Sequence, residues 1–229
     1  MILKVKQIKK ETGDAFSILF ENPGNRFYPG QYLELEGKCF SIASSPTESF
    51  LMITTFPSKS HLKKRFLKLK PGDKIESSHP AGTVTIDEVD PLVFIAGGIG
   101  ITPFRSMIKW AFDRKFKTPM TLIYSSSQKK IKTAAKRGSY SNSDNDFIYK
   151  KELDTWKKDL PNLTIHYINT NKDGRLNNNK LEPLILNTDP LIPIYYIAGS
   201  PSFVDAFEKM LLEIGIDSTN IRTDRYDGY

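Results

Sequence analysis

Residues Pro91–Phe112 read PLVFIAGGIGITPFRSMIKWAF, and the fold turns on them. Leu92–Ala96 is a short apolar run with β-branched residues, the pattern of a strand buried on both faces. Gly97, Gly98 and Gly100 follow where the chain must turn sharply with almost no side chain. Thr102 suits a helix N-cap and Pro103 the first helical position. Phe104, Met107, Ile108, Ala111 and Phe112 then recur at the spacing of one apolar helix face. Strand, bare turn and helix start together make a place for a phosphate. Unpaired N–H groups and partial positive charge gather at the helix end, and glycine lets a diphosphate come close. An unliganded strand-to-helix turn is the plainer alternative. Three glycines in four positions before a Thr-Pro start favour the dinucleotide, although the spacing is G-x-G-x-x-P and not GxGxxG.

Outward from that stretch, strand and helix alternate. Strands are expected at Leu92–Ala96, Met120–Tyr124, Leu163–Ile168 and Ile194–Ala198, with helices near 103–113, 146–157 and 177–186. A last helix begins at Pro201 after a Ser200 cap and ends at Gly215. Such alternation gives a parallel sheet covered on both faces, with ligands at the carboxyl ends of its strands. Residues 128–146, rich in Lys, Ser and Asn without apolar periodicity, read as a surface insertion.

Before Pro91 the pattern differs. Leu3–Ile8, Ala15–Glu21, Gln31–Glu36, Cys39–Ala43, Phe50–Thr55, Asp73–Ser77 and Thr83–Ile86 are short, evenly spaced strand candidates, the mark of a small antiparallel β-barrel. One helix interrupts them, carrying Leu62, Phe66 and Leu69 on a face and Ser58 and Ser60 near its start. The change of pattern at Val89-Asp90-Pro91 divides the chain into residues 1–90 and 91–229.

Composition bounds the function. The 229 residues, 39% hydrophobic with 14 Phe, suit one large or two modest folded domains. No apolar run approaches the ~20 residues of a membrane span, and the N-terminus alternates like a strand, so the expected location is cytosolic. A single Cys39 excludes an internal disulfide and an in-chain four-cysteine cluster; three scattered histidines give no metal-site spacing. The net charge of +7 fits nucleic acid, an acidic protein partner or a lysine-rich solvated surface.

Lys38-Cys39-Phe40-Ser41-Ile42-Ala43-Ser44-Ser45-Pro46 is the second informative stretch: cation, aromatic and hydroxyl on one strand. It suits a phosphorylated aromatic ligand or an ordinary strand with a polar end. Here the chain resembles the ferredoxin–NADP(H) reductase superfamily of flavoproteins. KCFSIASSP is similar to that family's R-x-Y-S-[LI]-[AS]-S flavin motif, and IAGGIGITP to its nicotinamide-dinucleotide motif. PGDKIESSHPAGTVTI resembles its L-x-x-G-D strand and G-P-x-G, YYIAGSPSFVDAFEKMLLEIG its C-G-P-x-x-M segment, and IRTDRYDGY its aromatic terminus. The likeness runs through the whole chain in the family's order.

The resemblance implies a FAD-binding barrel over 1–90 and a Rossmann-like NAD(P)H-binding α/β domain over 91–229. It implies Ser41 at flavin N5, Phe40 against the flavin, Cys39 beside them and Lys38 at the diphosphate, with Ser58 and Ser60 completing the phosphate site. Lysine replaces the family's arginine at Lys38, so FMN stands beside FAD. Gly97, Gly98, Gly100, Thr102 and Pro103 would bind the dinucleotide, with Gly199, Ser200 and Pro201 forming a second turn. Ala198 stands where the family has Cys, and His79 where it has Gly. Tyr226 and Tyr229 either cover a flavin face or fray as a terminus. Ser126, Ser127, Lys129 and Lys130 are the expected ribose contacts; with no acidic residue over 124–130, they favour NADPH over NADH. The implied activity is hydride transfer from NAD(P)H to FAD, then electron transfer to a separate acceptor such as an acidic ferredoxin or flavodoxin. A free-flavin or quinone reductase is the near alternative, and a non-redox nucleic-acid or regulatory binding module the distant one.

Overall fold

The structure, a computed structural model, describes residues 1–22, 24, 26–127, 147–185 and 192–226. Its first part consists of β1 (Ile2–Lys10), β2 (Phe16–Glu21), β3 (Tyr32–Leu35), β4 (Lys38–Ser41), β5 (Phe50–Thr55), helix α1 (His61–Phe66) and β6 (Lys74–Glu76). β5, β2, β1 and β6 lie side by side and antiparallel, while β3 and β4 form a hairpin. Two sets of hydrogen bonds join these pieces into a barrel. Beyond β4, Ala43 N donates to Met52 O at 2.7 Å and Met52 N donates to Ser44 Oγ at 3.0 Å, tying the hairpin to β5. Beyond β6, Ser78 N donates to Glu34 O, and Tyr32 and Ala81 exchange both backbone bonds, tying it to β3. Closure of this kind protects strand edges.

Alternation decides what each strand faces. Phe16, Ile18 and Phe20 of β2 and Leu51 and Ile53 of β5 fill the barrel, while Leu19 and Met52 point outward into a core shared with the rest of the chain. That double burial explains why both strands carry apolar residues at consecutive positions, Ile18–Phe20 and Phe50–Ile53. Ser60 caps α1, its Oγ accepting from Lys63 N at 3.3 Å, and Leu62 and Phe66 enter the barrel core. Burying each is worth roughly 1.5–3 kcal/mol, far beyond the propensity of so short a helix.

The second part runs β7 (Leu92–Gly97), α2 (Ile101–Asp113), β8 (Met120–Ser126), α3 (Lys150–Asp159), β9 (Leu163–Asn169), α4 (Asn178–Ile185), β10 (Ile194–Gly199), α5 (Pro201–Glu213) and β11 (Ile221–Arg225). The strands make one parallel sheet in the order β11-β10-β7-β8-β9. Leu92, Phe94 and Ala96 of β7 face α2, α3 and the barrel; Val93 and Ile95 face α4 and α5. Gly215, at φ +94°, ends α5 as expected.

Two expectations are corrected and one strand is added. Thr83–Ile86 is not a strand: its hydrogen bonds go to scattered partners and not to a neighbouring strand, Thr85 N donating to Thr83 O, Ile86 N to Pro29 O, and the Tyr196 hydroxyl to Thr85 O at 2.9 Å. The third-quarter helix starts at Lys150 and not near 146, because Tyr149 holds a left-handed φ of +63°. Ile221–Arg225, rich in polar residues, is an edge strand of the sheet. The insertion expected at 128–146 lies outside the described residues.

Candidate functional site

The carboxyl ends of the neighbouring strands β7 and β10 are both glycine, Gly97 and Gly199. A Cβ on either would come within 2.9 Å of the Phe203 ring, which α5 lays across them. After Gly97 the chain enters a 3₁₀ turn, Gly98–Gly100, that runs directly into α2. The helical path therefore begins before Thr102. Thr102 is not the N-cap: its Oγ1 donates back to Ile99 O at 3.0 Å, and Pro103 is the third residue of α2.

The glycines divide the work differently from the sequence expectation. A Cβ on Gly100 would sit 2.0 Å from Ala198 O and 2.8 Å from Gly199 N, so its bareness packs the turn against β10. Gly98 has φ +55° and nothing within 4 Å of where a Cβ would stand. It is the member of the trio that combines a left-handed backbone with an open outer side.

Ser41, the last residue of β4, is buried beside this turn. Its Oγ lies 2.8 Å from the Tyr226 hydroxyl and donates to Asp224 Oδ2 at 3.5 Å. The Tyr226 hydroxyl also comes within 3.5 Å of Thr102 Oγ1, and Tyr226 N donates to Gly199 O at 2.9 Å. Barrel strand, glycine turn and final strand thus meet at three hydroxyls and a carboxyl. Burial pushes the Asp224 carboxyl above its ordinary range, and the hydrogen bonds with Tyr226 and Ser41 offset that only in part. Such a carboxyl holds a proton more readily than an exposed aspartate. Asp224 was not among the sequence candidates, although strand periodicity puts residues 224 and 226 on one face. Tyr226 is anchored at both ends and is not a frayed terminus.

The other candidates scatter around this centre. Lys38 and Cys39 are exposed at the start of β4, with the thiol pushed up by partial burial and then by Glu34 and Asp224. Phe40 points into the barrel, 5.5 Å from the Phe66 ring, leaving little of its face for a ligand. Ser60 is spent on capping α1, with Ser58 Oγ 3.0 Å from its Oγ. Ser126 and Ser127 stand at the carboxyl end of β8, where Ser126 O accepts from Thr170 N at 3.0 Å. Ser200 is the N-cap residue of α5 without a side-chain capping bond, and Pro201 follows as its first residue. Lys129, Lys130 and Tyr229 lie outside the described residues. Among the described residues, no helix is long and apolar enough to cross a membrane.

Residues 94–137, from β7 through the glycine turn and β8, match the family described as "Oxidoreductase NAD-binding domain". Flavohemoprotein A of Dictyostelium discoideum is 26% identical over 241 residues, covering 93% of this chain and 56% of that protein. The ferredoxin-NADP+ reductase of Plasmodium falciparum has the same fold at TM-score 0.80 and 17% identity, over 98% of this chain and 95% of that one. The matched family and these relatives are FAD/NAD(P)-binding reductases of the ferredoxin–NADP(H) reductase type, and the chain resembles them over most of its length. A flavohemoglobin from Malassezia yamatoensis, solved with bound FAD and heme, shares the superfamily fold at TM-score 0.77 and 20% identity, over 98% of this chain and 59% of that one. The chain spans about half the length of the curated relatives it matches. Its antiparallel barrel followed by a parallel five-stranded sheet is the reductase fold.

Proposed function

We propose that this chain is an NAD(P)H-dependent flavoprotein reductase, with residues 1–90 holding FAD and residues 91–229 holding the nicotinamide dinucleotide. One observation carries the reading: Ser41 and Asp224, with Tyr226 and Thr102, converge at the carboxyl end of the parallel sheet. FAD, when bound, supplies the hydride acceptor and the store from which electrons leave. The residues present fit that pair of ligands: a hydroxyl at the end of β4, an exposed Lys38 for phosphate, and an open glycine turn at Gly98. Ser41 would offer its hydroxyl to the N5 edge of a bound flavin, and the Asp224 carboxyl, whose proton affinity burial raises, stands within reach of that hydroxyl. Tyr226 would cover one face of the flavin and exclude water from it. Ser126 and Ser127, at the carboxyl end of β8, would stand on the ribose side, and the sequence there, which carries Lys129 and Lys130 and no carboxylate, favours NADPH.

Electrons then pass to an acceptor outside this chain. The net charge of +7 suits an acidic ferredoxin or flavodoxin, with free flavin or quinone as the second reading. The test is direct: purify the full chain, record its flavin spectrum, and bleach it anaerobically with NADPH and with NADH. A colourless protein that takes up neither FAD nor FMN ends the proposal; faster bleaching by NADH ends the coenzyme preference alone.

A further inference from the structure

Arg105 lies one helical turn beyond Thr102 in α2 and is only 3% exposed. Its guanidinium spends all three nitrogens. Nε donates to Glu152 Oε2 at 2.7 Å, Nη1 to Ala43 O at 2.8 Å and Glu48 Oε2 at 2.9 Å, and Nη2 to Glu48 Oε1 at 3.1 Å. The rings of Tyr149 and Trp156 flank it, each 5.3 Å from the guanidinium carbon. The next residue, Ser106, donates from Oγ to Ser44 O at 2.6 Å. Ala43 and Ser44 are the second and third residues after Ser41. Glu48 is itself fixed, accepting from Ser45 N at 2.8 Å. Two consecutive side chains of the dinucleotide helix therefore grip the backbone immediately after the serine of the flavin strand.

Apolar residues would suffice to glue two such surfaces, and a buried charge is costly unless every donor is matched. A planar fork spanning three partners fixes distance and angle as well as contact. We propose that Arg105 is a positioning residue for hydride transfer, locking the dinucleotide turn to the strand that carries Ser41 and so setting the gap the hydride crosses. The inference rests on the reductase reading above. It adds a residue that touches neither ligand and belongs to neither motif's contact set.

Hydride transfer needs reacting atoms about 3–3.5 Å apart, and a misplacement of about 1 Å costs on the order of a hundredfold. Arg105→Lys keeps the charge but offers one compact ammonium that cannot span Ala43, Glu48 and Glu152 together. The full-length FAD-loaded protein is mixed anaerobically with NADPH or NADH, and with the 4-deuterated coenzyme, in a stopped-flow instrument. The expected result is unchanged flavin content and a half-saturating coenzyme concentration within about twofold, with a limiting reduction rate about 10- to 100-fold lower that keeps a primary isotope effect. A wild-type limiting rate overturns the inference, and so does a raised half-saturation with an unchanged rate, which would mark Arg105 as a support for binding alone. Should Arg105→Lys not fold, Glu48→Gln, which removes the charge and turns one of the two acceptor oxygens into a donor facing the fork, is read in the same way. A wild-type chain that neither coenzyme reduces overturns the reductase reading itself, a result distinct from equal rates in wild type and variant.

Discussion

Gly98→Ala and Gly100→Ala separate packing from ligand access within one turn. A methyl on Gly100 would stand 2.0 Å from Ala198 O, about 1.3 Å inside the roughly 3.3 Å at which carbon meets a carbonyl oxygen. The obstacle is backbone, and β10 is held between β7 and β11, so it has nowhere to retreat. Overpacking costs about 1–3 kcal/mol, and a clash with a central strand belongs at the upper end. For a chain of this length each kcal/mol lowers Tm by about 2–4 °C, so Gly100→Ala should melt about 6–12 °C early. A methyl on Gly98 meets nothing within 4 Å; its penalty is the φ of +55°, about 1–2 kcal/mol. That smaller loss should come with a raised KM for NAD(P)H, because the methyl fills the open side of the turn. Circular dichroism melts and coenzyme titrations on both variants decide it. A Gly100→Ala protein melting within 2 °C of wild type, or a Gly98→Ala protein less stable than it, refutes the assignment of the two glycines.

Lys38→Ala should lower flavin occupancy, whereas Ser41→Ala should stay yellow and be reduced about 100-fold more slowly, by loss of a hydrogen bond where charge develops; absorbance and stopped-flow traces read both. Asp224→Asn should stabilise the protein at neutral pH. The folded carboxyl's pKa is raised, so the native state binds its proton more tightly, and stability falls as pH rises from the unfolded value through the folded one. The variant's advantage should therefore vanish in acid; equal urea midpoints at neutral pH would contradict this. Tyr196→Phe strips one hydroxyl from Asp87 N, Thr85 O and Arg222 Nη1, and should cost about 1–3 kcal/mol by urea titration.

Strong local patterns made most of the fold legible. Leu92–Ala96 and the glycine turn announce β7 and α2, because a doubly buried strand and an amphipathic helix leave opposite marks on one short stretch. Ser41 was singled out through the likeness of KCFSIASSP to a flavin motif, since cation, aromatic and hydroxyl on one strand suit an ordinary polar-ended strand equally well. Thr83–Ile86 misled because it alternates like a strand, while its hydrogen bonds go to Tyr196 and to Pro29 O, partners remote in sequence. β11 was missed for the converse reason. Its charged side chains pair with other elements, Arg225 Nε with Asp205 Oδ1 of α5 at 3.1 Å, and an edge strand needs apolar residues on one face only. Missing β11 hid Asp224, since nothing in the residue itself says which way it points. Gly100 was legible as a glycine but not as a packing one, because Ala198 lies far along the chain.

The motif residues come from segments far apart in sequence, so their geometry depends on what fixes the barrel to the sheet, and two pins do so in different ways. Arg105 and Ser106 grip residues 43–48, the backbone that follows Ser41. Tyr196 and Arg222 grip residues 85–87 of the connecting segment, with Arg222 Nη1 donating to the Tyr196 hydroxyl at 2.7 Å, and among the described residues bond to nothing next to Ser41. Releasing the second pin frees the connector while the first still holds the gap. Tyr196→Phe should then lose stability with its hydride-transfer rate intact, and Arg105→Lys should lose rate with flavin content intact. If both variants lose rate in proportion to stability, the interface acts as undivided glue and neither pin has a task of its own.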